Sequence, residues 1–276
     1  MKKLAIVCAL ALLAGPVFAA CSNKEKAEAP LPPEEVAAPL LPEEQSSAEE
    51  PEETEETEET VAPSTPAPAK KEYLKITTNN LNVRAGAGTS YASLGKVESN
   101  ILMEYAGKSG DFFETSYMGR TAYIHSAYAK IVSLQAADEA VERVIEEGLK
   151  RLGTPYVYGA TRFHDGKGNL LKGFTDKKFD CSSLMQYIFY RGAGVLLNTT
   201  TRTQIVQGKA VTELKRGDLM FFTNATRKNN TGIERVGHVA LYLGDNYILH
   251  TASDYAKIEQ ISQTRWSYFL EARRVL

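Results

Sequence analysis

The chain has 276 residues, with 34 Asp and Glu against 32 Lys and Arg and a formal net charge of −2. That length accommodates two modest domains, and so even a charge balance gives no reason to expect a nucleic-acid partner. Of its three cysteines, Cys8 and Cys21 fall in or beside the N-terminal leader, which leaves Cys181 without an intramolecular partner and excludes a disulfide-stapled fold.

Residues 1–20 begin Met1-Lys2-Lys3, run apolar from Leu4 to Ala14 and close on small residues before Cys21. This is the pattern of a secretory signal, too short and wrongly flanked for a stable membrane span. Val17-Phe18-Ala19 fits ordinary signal cleavage, whereas Phe18-Ala19-Ala20-Cys21 resembles a lipobox, with Phe18 where an aliphatic residue is usual. Because a tether-like segment follows, the lipobox reading is preferred: Cys21 becomes a lipidated N-terminus that holds the protein to a membrane.

The segment 21–70 reads as a disordered linker. Residues 22–69 contain fourteen glutamates, two lysines and nine of the eleven prolines, so they have little to bury and repel themselves. Setting those fourteen aside leaves twenty acidic residues against 28 Lys and Arg after Ala69, near +8. A basic folded part suits an anionic polymer, although basic surfaces also occur without one.

Residues 71–133 show short alternating apolar runs broken by glycine and asparagine: Leu74 and Ile76, Leu81 and Val83, Ile101 to Tyr105, Phe112 to Tyr117, Ala122 to Ile124. The spacing predicts a small all-β barrel. The run Leu81-Asn82-Val83-Arg84-Ala85-Gly86, continued through Tyr91, Gly95 and Val97, resembles bacterial SH3-like domains, with Ala122-Tyr123-Ile124 where that family usually has Gly-Trp-Val. The resemblance implies either wall binding or a barrel that shapes a neighbouring cleft.

In residues 134–276 the first element is an amphipathic helix over 136–152, with Val141, Val144, Ile145, Leu149 and Leu152 on one face. Thr154-Pro155-Tyr156 follows, and then a polar stretch from Thr161 to Lys178 that reads as a lid or a mobile insertion. Asp180-Cys181-Ser182-Ser183 opens a second helix. Unpaired N–H groups and the positive end of the macrodipole there favour a thiolate, whereas a lone cysteine is otherwise often an inert buried one.

Gly217-Asp218-Leu219-Met220-Phe221-Phe222 reads as a buried strand. A polar insertion from Asn224 to Arg235 leads into Gly237-His238-Val239, and Tyr247 to His250 form the returning strand. If the turn centres on Asp245, position 240 lies opposite 250, and His238 and His250 share a face as diagonal neighbours. A helix-borne thiol and two imidazoles can then meet, which suits a thiol peptidase. Cys, His and His are also zinc ligands, but no fourth ligand stands at close spacing, so neither a metal nor a cofactor is expected. His125 and His164 are expected at the surface.

Pro155-Tyr156, Asp180-Cys181-Ser182, Gly217-Asp218-Leu219, Gly237-His238-Val239, His250 and the closing Glu271-Ala272-Arg273-Arg274-Val275-Leu276 together resemble the NlpC-type cell-wall peptidases, a papain-like family. The resemblance implies an α+β fold: an SH3-like barrel, then a peptidase domain with an antiparallel sheet. It implies Cys181 as nucleophile, His238 as base and acid, His250 as the orienting residue and Tyr156 near the oxyanion, with Asp180 and Ser182 beside the substrate. Simpler readings stand beside two of these: Asp180 as a helix N-cap and Tyr156 as a packed aromatic.

Two departures, Ser183 and Ala160, stand where the family has glycine. The implied substrate is the peptidoglycan stem peptide, cut between D-glutamate and a diamino acid. The rivals are a non-catalytic wall-binding scaffold and an amidase or acyltransferase on the same fold. Because only residues 133 to 137 join barrel and peptidase, the barrel is expected to wall the catalytic cleft.

Overall fold

The computed structural model describes residues 69–276; the expected export signal, Cys21 and nearly all of the linker lie outside the described residues. Eight strands come first: β1 (Lys70–Ile76), β2 (Leu81–Arg84), β3 (Ser93–Val97), β4 (Leu102–Glu104), β5 (Gly107–Ser109), β6 (Phe112–Tyr117), β7 (Arg120–His125) and β8 (Ala129–Gln135). Helices α1 (Glu139–Leu149), α2 (Cys181–Ala193) and α3 (Thr201–Gln204) follow. The chain then forms β9 (Lys209–Val211), β10 (Leu219–Phe222), β11 (His238–Gly244), β12 (Tyr247–Ala252), β13 (Tyr255–Gln260), α4 (Gln263–Ser267) and β14 (Phe269–Arg274). The fold is α+β with antiparallel sheets, and among the described residues no helix is long and apolar enough to cross a membrane.

The strands make two sheets, one of five strands in the order β3-β2-β7-β6-β5 and one of nine in the order β8-β1-β4-β13-β12-β11-β10-β14-β9. The larger sheet crosses the boundary that the sequence suggests, because β4 of the barrel pairs with β13 of the peptidase at Leu102 and Ile258. Side chains alternate along a strand, so β1 serves two cores. Leu74 and Ile76 enter the barrel core with Val83, Met103 and Ile124, while Tyr73, one residue before Leu74 and on the opposite face, joins Leu102 in the core around α1 and α2.

Arg216 closes that junction from the peptidase side. Its guanidinium donates to both carboxylate oxygens of Glu142 on α1, at 2.6 and 3.0 Å, to the Tyr73 hydroxyl at 2.6 Å and to the Leu243 carbonyl at 2.7 Å. Burial alone would raise the Glu142 pKa, but the Arg216 bonds prevail and lower it. Barrel and catalytic layer thus meet through hydrophobic packing and a satisfied buried ion pair.

Helix α1 buries the face that its periodicity predicts, with Val141, Val144, Ile145 and Leu149 turned inward and Asp138 as its N-cap. It lies close against α2 because Gly192 has no side chain: a Cβ there would stand 2.5 Å from the Val144 backbone. The stretch 161–178 is no loose insertion: its Arg162 borders the cleft beside Asp180. Phe163 and Phe174 pack edge-on at 4.9 Å and run into Tyr187, Phe179 and Tyr190, so its aromatic residues dock on the outer face of α2.

Candidate active site

Helix α2 places Cys181 at its first position by an N-terminal capping box. The Asp180 carboxylate accepts from the Ser183 N–H at 2.8 Å, and the Ser183 hydroxyl accepts from the Asp180 N–H at 2.9 Å. The serine in the glycine position therefore has a structural use: it satisfies a buried backbone donor at the helix start. The Cys181 thiol is buried, and the backbone N–H groups of Val239 and Ser182 beside it favour its thiolate form. Tyr156 is held beside it, its segment bridged to Phe179 and its N–H bonded to the Asp254 carbonyl at 2.8 Å.

The two histidines come from the β11–β12 hairpin. Asp245 and Asn246, at φ 47° and 65°, form its tight turn. The pairs Leu241–Leu249 and Tyr242–Ile248 continue to the expected register, 240 opposite 250. His238 Nε2 lies 3.0 Å from His250 Nδ1. His250 pairs across β13 with Lys257, so Glu259 is its diagonal neighbour in turn, and Glu259 Oε1 lies 3.0 Å from His250 Nε2. Three adjacent strands thus carry His238, His250 and Glu259 along one diagonal of one sheet face.

That face is turned away from α2, which packs on Val239, Leu241 and Leu249. Cys181, at the start of α2, and His238, at the start of β11, line one cavity.

The carboxylate of Glu259 can only accept, so His250 carries its proton on Nε2 and offers Nδ1 to the Nε2–H of His238. Nδ1 of His238 is then a free base in the cavity that Cys181 also lines. Glu259 stays ionised: burial would raise its pKa, but His250, Lys257 and Arg265 bring it down to about 2. Arg265 Nη2 donates to Glu259 Oε1 at 3.0 Å. Glu259 was missed at the sequence level, where the reading stopped at His250.

The electrostatics reverse the expectation of a resting thiolate. Burial, followed by the neighbouring Asp180 carboxylate, pushes the Cys181 thiol up to about 11, against the pull of the two N–H donors. Burial, then His250 and Arg265, holds His238 well below the usual histidine range. Both shifts favour neutral thiol and neutral imidazole over the ion pair. Two surface expectations fare differently: His125 is half-buried in the barrel, whereas His164 is fully enclosed, packed against Phe163 and Tyr190.

Cys181 and Tyr156 stand at the junction of two cavities. One, of about 340 Å³, runs past His238, Phe222, Ser253, Thr264 and Arg265. The other, of about 460 Å³, is polar and runs past Asp180, Ser182, Arg162, Thr201, Arg202 and Arg227. Among the described residues neither lining includes one from the barrel, which joins the nine-stranded sheet on the far side of β13 from β12. Asp180 is also not a free anion in this cleft, since Arg162 Nη1 donates to it at 2.7 Å and the Ser182 hydroxyl at 3.1 Å.

Residues 153–274 match the NlpC/P60 family and residues 79–130 the bacterial SH3 domain. The chain carries an NlpC/P60 domain. It is 33% identical over 114 residues to the peptidoglycan endopeptidase RipA of Mycolicibacterium smegmatis, covering 40% of this chain and 21% of that one. A gamma-DL-glutamyl hydrolase of Bacillus subtilis is 31% identical over 136 residues, 48% of this chain and 29% of its own. A gamma-D-glutamyl-L-lysine dipeptidyl-peptidase of the same species is 26% identical over 198 residues, 70% of this chain and 60% of its own. The chain spans under half the length of the first two. The NlpC/P60 match contains Tyr156, Asp180, Cys181, Ser182, His238, His250 and Glu259.

Proposed function

We propose that this chain is an exported cysteine endopeptidase of peptidoglycan stem peptides that cuts the amide between D-glutamate and a diamino acid. The observation that carries the reading is the hydrogen-bonded series Glu259–His250–His238, which leaves an unprotonated imidazole nitrogen in the cavity of Cys181. The relatives named above act, by their names, on peptidoglycan and on glutamyl bonds.

In the first half-reaction Cys181 Sγ attacks the scissile carbonyl carbon while His238 takes the thiol proton, and the carbonyl electrons move to oxygen. That oxyanion meets the Cys181 N–H, which by its helix position has no intrahelical partner, and the Tyr156 hydroxyl. His238 then hands its proton to the leaving amine as the C–N bond breaks, giving a thioester. Water, deprotonated by His238, attacks the thioester and releases the carboxylic acid, and the thiol regains its proton. Asp180 and Ser182 line the acyl side of the cleft. Because the neutral thiol and imidazole are favoured over the ion pair, nucleophile formation is coupled to attack.

At the N-terminus, signal cleavage before Cys21 and lipidation of that residue would hold the enzyme on the outer side of a membrane, within reach of the wall through the Glu/Pro-rich linker. Detergent partitioning checks this, with wild type in the detergent phase and Cys21→Ala in the aqueous phase. The catalytic reading is tested by mass spectrometry of muropeptides. The wild-type chain should produce new amine and carboxyl ends at the D-glutamyl bond, and Cys181→Ala should produce none; turnover by the Ala variant rules the thiol mechanism out.

A further inference from the structure

The polar limb of the cleft carries a charge pattern that the motifs of the family resemblance do not assign. Arg162, Arg202 and Arg227 line it against a single carboxylate, Asp180. Arg162 is spent on that carboxylate. Arg202, on α3, and Arg227, in the insertion before β11, are not engaged in the same way. Both lean on the Glu234 carboxylate, Arg202 Nε at 3.4 Å and Arg227 Nη1 at 3.3 Å from its two oxygens, and Arg227 Nη1 also donates to the exposed Glu234 backbone carbonyl at 3.1 Å. Glu234 has a side chain 60% exposed and stands outside the cavity, so these are long, solvent-screened pairs of little strength.

The insertion is pinned beside the catalytic strand. Gly237, next to His238, has no room for a Cβ: it would stand 2.3 Å from the Asn224 side chain and 3.3 Å from Arg227 Cδ. Asn224 Oδ1 accepts from the Arg227 N–H at 3.0 Å and caps the turn that carries it. Two arginines from separate segments thus face one cavity that reaches the thiol.

We propose that Arg202 and Arg227 form a carboxylate subsite that binds the free α-carboxylate of the acyl-side residue, displacing Glu234. This inference rests on the glutamyl endopeptidase reading. The chemistry fits because an acyl residue joined through its γ-carbonyl keeps its α-carboxylate only a few bonds from the attacked carbon. A planar guanidinium pairs with a carboxylate in two-point geometry, which the single long contacts to Glu234 do not provide. An amidated acyl residue has the same shape without the charge, so the subsite makes the enzyme selective for the free acid.

The test uses the full chain and two synthetic tripeptides, L-Ala-γ-D-Glu-L-Lys and its D-isoglutaminyl counterpart. Wild type is expected to cleave the free acid with a kcat/KM roughly tenfold higher, the size of one charge-assisted bond gained. Arg202→Gln with Arg227→Gln should remove that preference through KM, with an unchanged melting temperature reporting intact folding. Arg227→Lys, which keeps the charge without the fork, should restore part of it, and Glu234→Gln should lower KM for the acid peptide alone. An unchanged acid-to-amide ratio in the double Gln variant overturns the subsite while leaving the hydrolase reading intact. Failure of wild type to cleave either peptide, with other muropeptide bonds cut, overturns the glutamyl reading and the subsite with it.

Discussion

His250 Nε2 and Glu259 Oε1 lie 3.0 Å apart, and this contact decides which nitrogen of His238 can take a proton from Cys181. Because Glu259 remains ionised down to about pH 2, the tautomer of both imidazoles is fixed through the working range. Glu259→Gln offers both an acceptor and a donor to His250 and so permits the wrong tautomer. The expected result is a fall in kcat of about tenfold or more with KM nearly unchanged. The His250 imidazole should also titrate at lower pH in this variant by NMR, since Glu259 is the group that raises its pKa against burial, while Arg265 and Lys257 lower it.

The same carboxylate links acid pH to stability. Its folded pKa, about 2, lies below the ordinary value of 4.5, so the folded state binds fewer protons than the unfolded chain between those values. The stabilisation is present in full above about pH 4.5 and is lost as pH falls toward 2. Melting temperature followed from pH 6 downward should drop through that window, and the drop should be shallower for Glu259→Gln.

The thiol behaves oppositely. Its folded pKa, about 11 against an ordinary 9, means that the folded state keeps a proton the unfolded chain has lost. The stability it contributes is present below about pH 9 and disappears as pH rises through 11. Alkylation of Cys181 by iodoacetamide, without substrate, should therefore be slow at neutral pH and keep accelerating beyond pH 9, because the thiolate is the reactive form. A plateau near pH 7 would show a resting thiolate and overturn the neutral pair.

How far the site could be read from the sequence depends on how local each relationship is. Cys181, His238 and His250 were legible because a helix start and a two-residue turn fix their geometry over short spans, and the 240-opposite-250 register follows from the turn alone. Glu259 needed a second register. Ser253, at φ 57°, and Asp254 turn the chain between β12 and β13, and the pair His250–Lys257 places Glu259 on the same diagonal. Ser and Asp at a turn are a weak signal beside Asp-Asn after glycine. The shared sheet was hidden for another reason: the alternation of Tyr73 and Leu74 reads equally well as one core and one solvent face, and only the tertiary structure shows that both sides are buried.

Ser183 gives a stability prediction that separates architecture from chemistry. Its hydroxyl is the acceptor for the buried Asp180 N–H, and Ser183→Ala leaves that donor unpaired. The cost should be about 1–3 kcal/mol in chemical denaturation. Activity per folded molecule should change little, because Asp180 still accepts from the residue 183 N–H and Cys181 remains the first residue of α2.

The last prediction concerns the junction between barrel and peptidase. Tyr73 and Leu102 belong to barrel strands yet fill the core around α1 and α2, and Arg216 reaches from the peptidase side to the Tyr73 hydroxyl. Removing residues 70–132 uncovers that core, opens the edge of β13 and leaves the Arg216–Glu142 pair partly hydrated. The truncated chain should therefore unfold at markedly lower denaturant than the full chain, and its lost activity should be traceable to unfolding. In the full chain, Arg216→Ala should cost about 3–5 kcal/mol by stranding buried Glu142, and Tyr73→Phe about 1 kcal/mol by removing one hydrogen bond. Both variants should keep the wild-type ratio of muropeptides cleaved, since no barrel residue lines either cavity at Cys181 among the described residues. A change in that ratio with the fold intact would mean that the barrel selects substrates directly, whereas a stable and active segment lacking 70–132 would show that the shared sheet is dispensable.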